Sequence, residues 1–170
     1  MDSHILFSEK QRFTQWWIWA ILIGVNGLFI FGIVEQVVFG KPFGDNPMSN
    51  LGLFLVAGGM FILSLMLFFS KLETRVTRDE LSVRMFPFHF RFKHFTWNQF
   101  SKIYVKEYSP IADYGGWGLR YSISGDGKAY NMSGKKGLQL EFTNGKKLLI
   151  GTQKAEELNA VLEKLNLITF

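Results

Sequence analysis

The chain has 170 residues and a net charge of +5, and it is 48% hydrophobic, with 18 Phe and no Cys. The absence of cysteine excludes disulfides, thiolate metal sites and a Cys nucleophile. The length suits one modest domain with some chain to spare.

In chain order, the first feature is a pair of long uncharged stretches. No charged residue lies between Arg12 and Glu35, or between Asp45 and Lys71. Inside those gaps are WWIWAILIGVNGLFIFGIV (16–34) and LGLFLVAGGMFILSLMLFF (51–69), each of 19 residues with one strongly polar or hydroxyl side chain, Asn26 or Ser64. At about 1.5 Å per residue, each approaches the roughly 30 Å of a hydrocarbon core. Both are read as transmembrane. A signal peptide at the first is disfavoured, because EQVVFGKPFG follows it instead of a small-residue cleavage site. The Gly- and Pro-rich segment 35–50 is turn chemistry, so the helices, 16–38 and 50–69, form an antiparallel hairpin.

Lys10 and Arg12 precede the first span and Lys71, Arg75 and Arg78 follow the second, whereas the connecting loop holds only Lys41. The positive-inside rule then places both termini in the cytoplasm. Gly24, Gly27, Gly58 and Gly59 lie near mid-span and predict a close approach of helix backbones. Asn26 needs a partner there: the other helix, a second copy of the chain or, less in keeping with its lack of ionisable neighbours, a transport path. The expected division is a cytoplasmic N-terminal segment over 1–15, a transmembrane hairpin over 16–70 and a cytoplasmic domain over 71–170.

That last part carries 16 Lys and Arg against 10 Asp and Glu, a net of +6. A positive domain tied to a membrane helix suits an anionic inner leaflet. Nothing resembles a reading helix or an RNA-binding signature, so nucleic acid is not expected. Strand-like periodicity falls at 74–77, 81–86, 92–97, 100–108, 119–124, 128–133, 137–142 and 146–151. Turns are expected at SGDGK and TNGK, where Asn144-Gly145 is a hairpin signal. The period then changes: Leu158, Val161, Leu162 and Leu165 share one face of a helix over 155–168. About seven strands and a C-terminal amphipathic helix is the order of the pleckstrin-homology (PH) superfold. The expected class is thus an α+β membrane protein, a two-helix hairpin followed by a PH-like antiparallel barrel or sandwich capped by a C-terminal helix.

Trp97 with Phe100 and Ile103, YGGWGLR (114–120) and IGTQKAEEL (150–158) carry a resemblance over most of residues 74–165. The chain resembles a family of uncharacterised bacterial membrane proteins with a PH-like domain after two transmembrane helices. The family usually has Pro where this chain has Ala155. The resemblance implies fold, topology and the bacterial cytoplasmic membrane, and it implies no reaction.

The glycine-rich stretch DYGGWGLRYSISGDGKAYNMSG (113–134) fails every phosphate-loop template. Gly116 and Gly118 would need glycine at Tyr121, and neither Gly127-Lys128 nor Gly145-Lys146 is followed by Ser or Thr. Gly115, Gly116 and Gly118 are read as sites of positive φ or close approach. A functional alternative makes Trp117 and Arg120, with Lys135 and Lys136, a patch for an anionic headgroup or a partner peptide. In MFPFHFRFKHF (85–95), Phe86, Phe88, Phe90 and Phe92 alternate. They face a core, or Phe88 and Phe90 cap a hairpin that dips into the membrane interface beside Arg91. His4, His89 and His94 show no ligand spacing, so no metal or other cofactor is expected, and no catalytic constellation stands out.

The functional expectation is a binding or scaffolding module at the inner face of the membrane, not an enzyme. Its surface would use Lys71, Arg75, Arg78, Phe88, Phe90, Arg91, Trp117, Arg120, Lys135 and Lys136. Its partners would be the bilayer, anionic headgroups or a membrane protein, with a homo-oligomer through the spans as a further option. The alternative is a small subunit of an oligomeric transport or channel complex.

Overall fold

The computed structural model describes residues 4–122, 125 and 127–168. Outside them lie Ile123 and Ser124 of the strand expected at 119–124, Asp126 of the SGDGK turn, and the first three and last two residues of the chain. The chain divides into two compact units, one helical (Gln15–Phe69) and one β-rich, which joins the residues up to Thr14 to those from Ser70 onward.

In the helical unit, α1 (Trp16–Ile33) continues through a π-helical turn at Val34–Val38, and α2 spans Asn50–Phe69. Both are long and apolar enough to cross a membrane. Leu22 and Gly32 are buried in α1 and Leu53 in α2, while the other side chains of these two helices are partly or fully exposed. An all-round apolar helix that is covered only along its seam with one neighbour suits an apolar surrounding. Gln36 organises the connection: its amide donates to the Met48 carbonyl at 2.9 Å and to Asn50 Oδ1 at 2.8 Å, and its oxygen accepts from Phe43 N at 3.3 Å.

The expected glycine contact between the helices is not observed. A Cβ at Gly24, Gly27, Gly58 or Gly59 would meet nothing within 4 Å, so none of these glycines is pressed against the other helix. The tight position is Gly32, where a Cβ would stand 2.8 Å from the Phe43 ring. Asn26 finds its partner within the hairpin, donating to Ser64 Oγ at 2.8 Å and to the Leu22 carbonyl at 2.7 Å.

The β unit contains two sheets. The first is a meander of β1 (Phe7–Gln11), β2 (Lys71–Val76), β3 (Glu80–Phe86) and β4 (Lys93–Thr96), antiparallel throughout and in that order. The second holds β5 (Phe100–Glu107), β6 (Gly118–Tyr121), β7 (Lys128–Asn131), β8 (Lys136–Phe142) and β9 (Lys147–Gly151), in the order β5-β8-β9-β7-β6. A short helix, α3 (Pro110–Tyr114), links β5 to β6, and α4 (Ala155–Lys164) ends the unit.

Three features differ from expectation. The N-terminal segment is not separate, because β1 pairs with β2 from Phe7↔Val76 to Gln11↔Leu72. The described strands form two sheets and do not close a barrel. The second sheet is not wholly antiparallel, since β9 inserts between β8 and β7 and runs parallel to β7.

One apolar core joins both sheets and α4. Leu72, Val83 and Met85 come from the first sheet, Leu138, Leu140 and Ile150 from the second, and Leu158 and Leu162 from α4. Each fully buried aliphatic side chain contributes about 2 kcal/mol relative to exposure. The hairpin signal at Asn144-Gly145 holds: Gly145 has φ +79°, and β8 and β9 pair from Glu141↔Lys147 to Gly137↔Gly151.

Candidate functional site

Strand register defines a distinct end of the first sheet. Gln11 pairs with Leu72, and Lys71 with Phe86. The last residues of β1, the first of β2 and the last of β3 therefore share one end. From that end the chain passes to α1 through residues 12–15 and returns from α2 through Ser70. The β3–β4 connection, residues 87–92, lies there too.

Of the two readings of the Phe run, the structure places Phe88 and Phe90 in the turn and not in the core. They are 53% and 75% exposed, and Arg91 beside them is exposed. Phe86 braces Phe90 edge-on at 5.8 Å between centroids. Phe92 takes the guanidinium of Arg75 at 4.3 Å and that of Arg84 at 4.5 Å from its centroid. Arg75 is thus already engaged with an aromatic face, a contact that contributes about 0.5–1 kcal/mol at an exposed site. Lys71 pairs with Glu73 at 3.4 Å, and Arg84 bonds the same carboxylate. Burial raises the Glu73 carboxyl, but the hydrogen bond and charge of Arg84, with Lys71 added, outweigh it and hold the group below the usual carboxylate range. Arg78 lies exposed in the β2–β3 turn, at the opposite end of the strands.

The second proposed patch is split. Gly115, Gly116 and Gly118 have φ of +69°, +126° and +108°, so the glycines serve backbone geometry. Gly115 ends α3 in the left-handed region, where its N–H reaches the Ile111 carbonyl at 2.9 Å. Arg120 Nε donates to the Trp117 carbonyl at 2.9 Å, so these two are neighbours. Lys136 opens β8, and β9 and β7 lie between that strand and β6. At about 4.8 Å per strand the two halves stand roughly 14 Å apart across the sheet. Lys136 instead lines a shallow hollow of about 460 Å³ in mixed company, with Lys106, Glu107, Glu156 and Glu163.

A Ser–His–Glu grouping escaped the sequence reading. His94 Nδ1 lies 2.7 Å from Glu80 Oε1 and 3.0 Å from Ser82 Oγ, and Ser82 donates to Glu80 at 3.0 Å. A catalytic relay needs the carboxylate on one ring nitrogen and the hydroxyl on the other. Here both meet Nδ1, so the geometry is that of a His–Glu hydrogen bond with a bystander hydroxyl. The hydrogen bond from His94, more than the desolvation opposing it, holds the Glu80 carboxyl below its usual range.

A pocket that the sequence reading also missed opens between the two sheets. It has a volume of about 520 Å³ and is lined by β4 on one side and by β6 to β9 on the other. Its cations are Lys93, Lys128, Lys146 and Lys147. They come from three separated segments, and no spacing along the chain foretells their meeting.

No protein-family model matches the chain, and neither does any of the curated proteins.

Proposed function

We propose that α1 and α2 cross the cytoplasmic membrane and hold the β unit at its inner face as a PH-like binding or scaffolding module of a bacterial membrane protein. Its mechanism is contact, not chemistry. The tether raises the local concentration of the module at the membrane, so a weak affinity for a headgroup or a partner suffices.

The observation that carries this reading is the shared end of the first sheet. Both chain passages to the apolar helices leave from it, and the exposed pair Phe88 and Phe90 stands there with Arg91. Aromatic rings and cations at the end where the chain enters and leaves the apolar helices suit an interface, with the rings among the acyl boundary and the cation at the phosphates. The PH-like assignment is supported by the order of a four-stranded meander, a second sheet and a terminal helix whose Leu158 and Leu162 reach the core. The transport alternative draws nothing from Asn26, whose amide is used within its own hairpin.

The chain has no cysteine, so single-cysteine variants give clean topology. A membrane-impermeant thiol reagent applied to intact cells should label Lys41→Cys and leave Asn144→Cys and Asn98→Cys unlabelled until the cells are broken. Labelling of position 144 from outside would end the reading.

A further inference from the structure

We propose that the open seam between the two sheets binds a phosphorylated ligand with at least two negative charges beside an apolar or ring-shaped body. It supplies the module proposed above with a ligand class, and it rests on that reading only where a lipid is the source of the phosphate.

The charge is one-sided. Four lysines line the pocket, and no carboxylate does among the described residues. None of the four joins an ion pair among those residues. Like charges gathered at one opening repel each other, and an anion in the seam relieves that repulsion. The field is felt nearby. His89 packs edge-on against Tyr130 at 5.2 Å, and burial, then Lys93, then Lys128 hold its imidazole below the usual range.

The cations are held by the fold. Lys93 Nζ donates to the Tyr130 hydroxyl at 3.2 Å, and Lys128 lies 5.1 Å from the Tyr121 centroid. Asn144 Oδ1 accepts from Lys146 N at 3.1 Å, which fixes the turn that carries Lys146. Gly127 has φ +81°, and a Cβ there would stand 2.2 Å from the Lys147 carbonyl. Only glycine lets the two backbones touch, and that contact seats Gly127 against Lys147 and brings Lys128 level with Leu148 on the adjacent strand.

The chemistry suits a multiply charged phosphate. Lysine presents a compact point charge that meets phosphate oxygens from any direction, whereas the planar fork of arginine fixes a bidentate geometry on carboxylate or phosphate. The pocket has lysines and no arginine. Phe95, Tyr121, Tyr130 and Phe142 provide ring faces and edges for the body of the ligand.

The test is amine acetylation footprinting of the full chain, read by mass spectrometry. In detergent micelles, inorganic pyrophosphate should protect Lys128, Lys146 and Lys147, with Lys10, Lys102 and Lys135 unaffected. Lys128→Gln and Lys146→Gln, both at exposed positions, should each weaken that protection about tenfold, the loss of one charge-assisted contact, and Lys135→Gln should not. A second arm compares nanodiscs of phosphatidylcholine with discs that also contain phosphatidic acid. Protection confined to the phosphatidic acid discs supports the site with a lipid as source; protection by pyrophosphate supports it for a free phosphate and holds even if the topology experiment fails. No protection in either arm, or an equal loss of reactivity at every lysine, overturns the proposal.

Discussion

Thr152 donates a 2.6 Å hydrogen bond to the Glu9 carboxylate across 143 positions of sequence. The other carboxylate oxygen accepts from Gln153 N at 2.8 Å, and Gln11 Nε2 donates to the Gly151 carbonyl at 2.6 Å. Two inward polar side chains of β1 thus hold the joint between β9 and α4. A buried hydrogen bond to a charged group contributes about 1.5–3 kcal/mol. Glu9→Ala and Thr152→Val should each lower stability by roughly that much, and the double variant should lose clearly less than the sum of the two. Urea unfolding of the full chain in micelles measures the cycle. Additive losses would mean that the contact contributes nothing of its own.

Acid should unfold the β unit in two stages. His89 has a folded pKa below its ordinary 6.5. Its contribution is therefore complete above that pH and is lost as pH falls through the folded value, because the unfolded state takes the proton first. Glu73 and Glu80 lie below their ordinary 4.5. The stability they add is present above 4.5 and disappears at lower pH. Melting temperature measured from pH 8 downward should begin to fall near 6.5 and fall faster below 4.5. His89→Gln should remove the first stage only. A flat profile between pH 7 and 5 in the parent chain would contradict the burial of the imidazole.

Eight of the nine strands were legible because their inward positions are largely apolar at period two, as in Leu81, Val83 and Met85 or Leu138, Leu140 and Phe142. Strand β1 was not, because its inward residues are Phe7, Glu9 and Gln11. Polar residues point to solvent unless a distant partner satisfies them, and that partner, Thr152 with Gln153, lies at the other end of the chain. The helix α3 was passed over although its signals stand in the sequence: Ser109 caps it, Pro110 opens it and Gly115 stops it. The turn with Phe88 and Phe90 was readable as one of two options, since alternation cannot tell a core strand from an exposed tip. The lysine-lined seam could not be read at all. It arises from strand order, which brings residues 93, 128 and 146–147 to one opening.

Gly127 and Gly145 have nearly the same backbone angle, with φ of +81° and +79°, and different surroundings. A methyl group at 127 would collide with the Lys147 carbonyl, whereas at 145 it meets nothing within 4 Å. Gly145→Ala should cost about 1–2 kcal/mol, the strain of the left-handed region alone. Gly127→Ala should cost at least about 2 kcal/mol more, because backbone has to shift. Thermal unfolding of both variants makes the comparison. Equal costs would show that the close approach of the two backbones is absent in solution.

Phe88 and Phe90 stand outside the β core, so replacing them should leave folding alone. Phe88→Ser and Phe90→Ser should change stability in micelles by no more than about 0.5 kcal/mol, as ordinary surface substitutions do. The effect belongs in the bilayer. A nitroxide at position 90 in liposomes should be relaxed more by oxygen, which concentrates in the acyl region, than by a water-soluble nickel chelate. The same label at exposed position 135 should show the reverse order. If both positions prefer the chelate, the turn stays in water.

Asn26 and Ser64 form a cross-helix polar bond inside the helical unit. Ser64 Oγ also donates to the Met60 carbonyl at 2.8 Å, so removing Asn26 does not strand the hydroxyl. Asn26→Leu should therefore cost only the bond itself, about 0.6 kcal/mol and at most about 1.7 for an interhelical hydrogen bond in a membrane. Ser64→Ala should cost the same, since it leaves the Asn26 amide its bond to the Leu22 carbonyl. Neither change should alter the oligomeric state in mild detergent, because the bond closes within one chain. Light scattering coupled to size exclusion reads that state directly. A shift in mass on replacing Asn26 would mean that the amide reaches a second copy instead, and that the hairpin pairs through a face other than the one seen here.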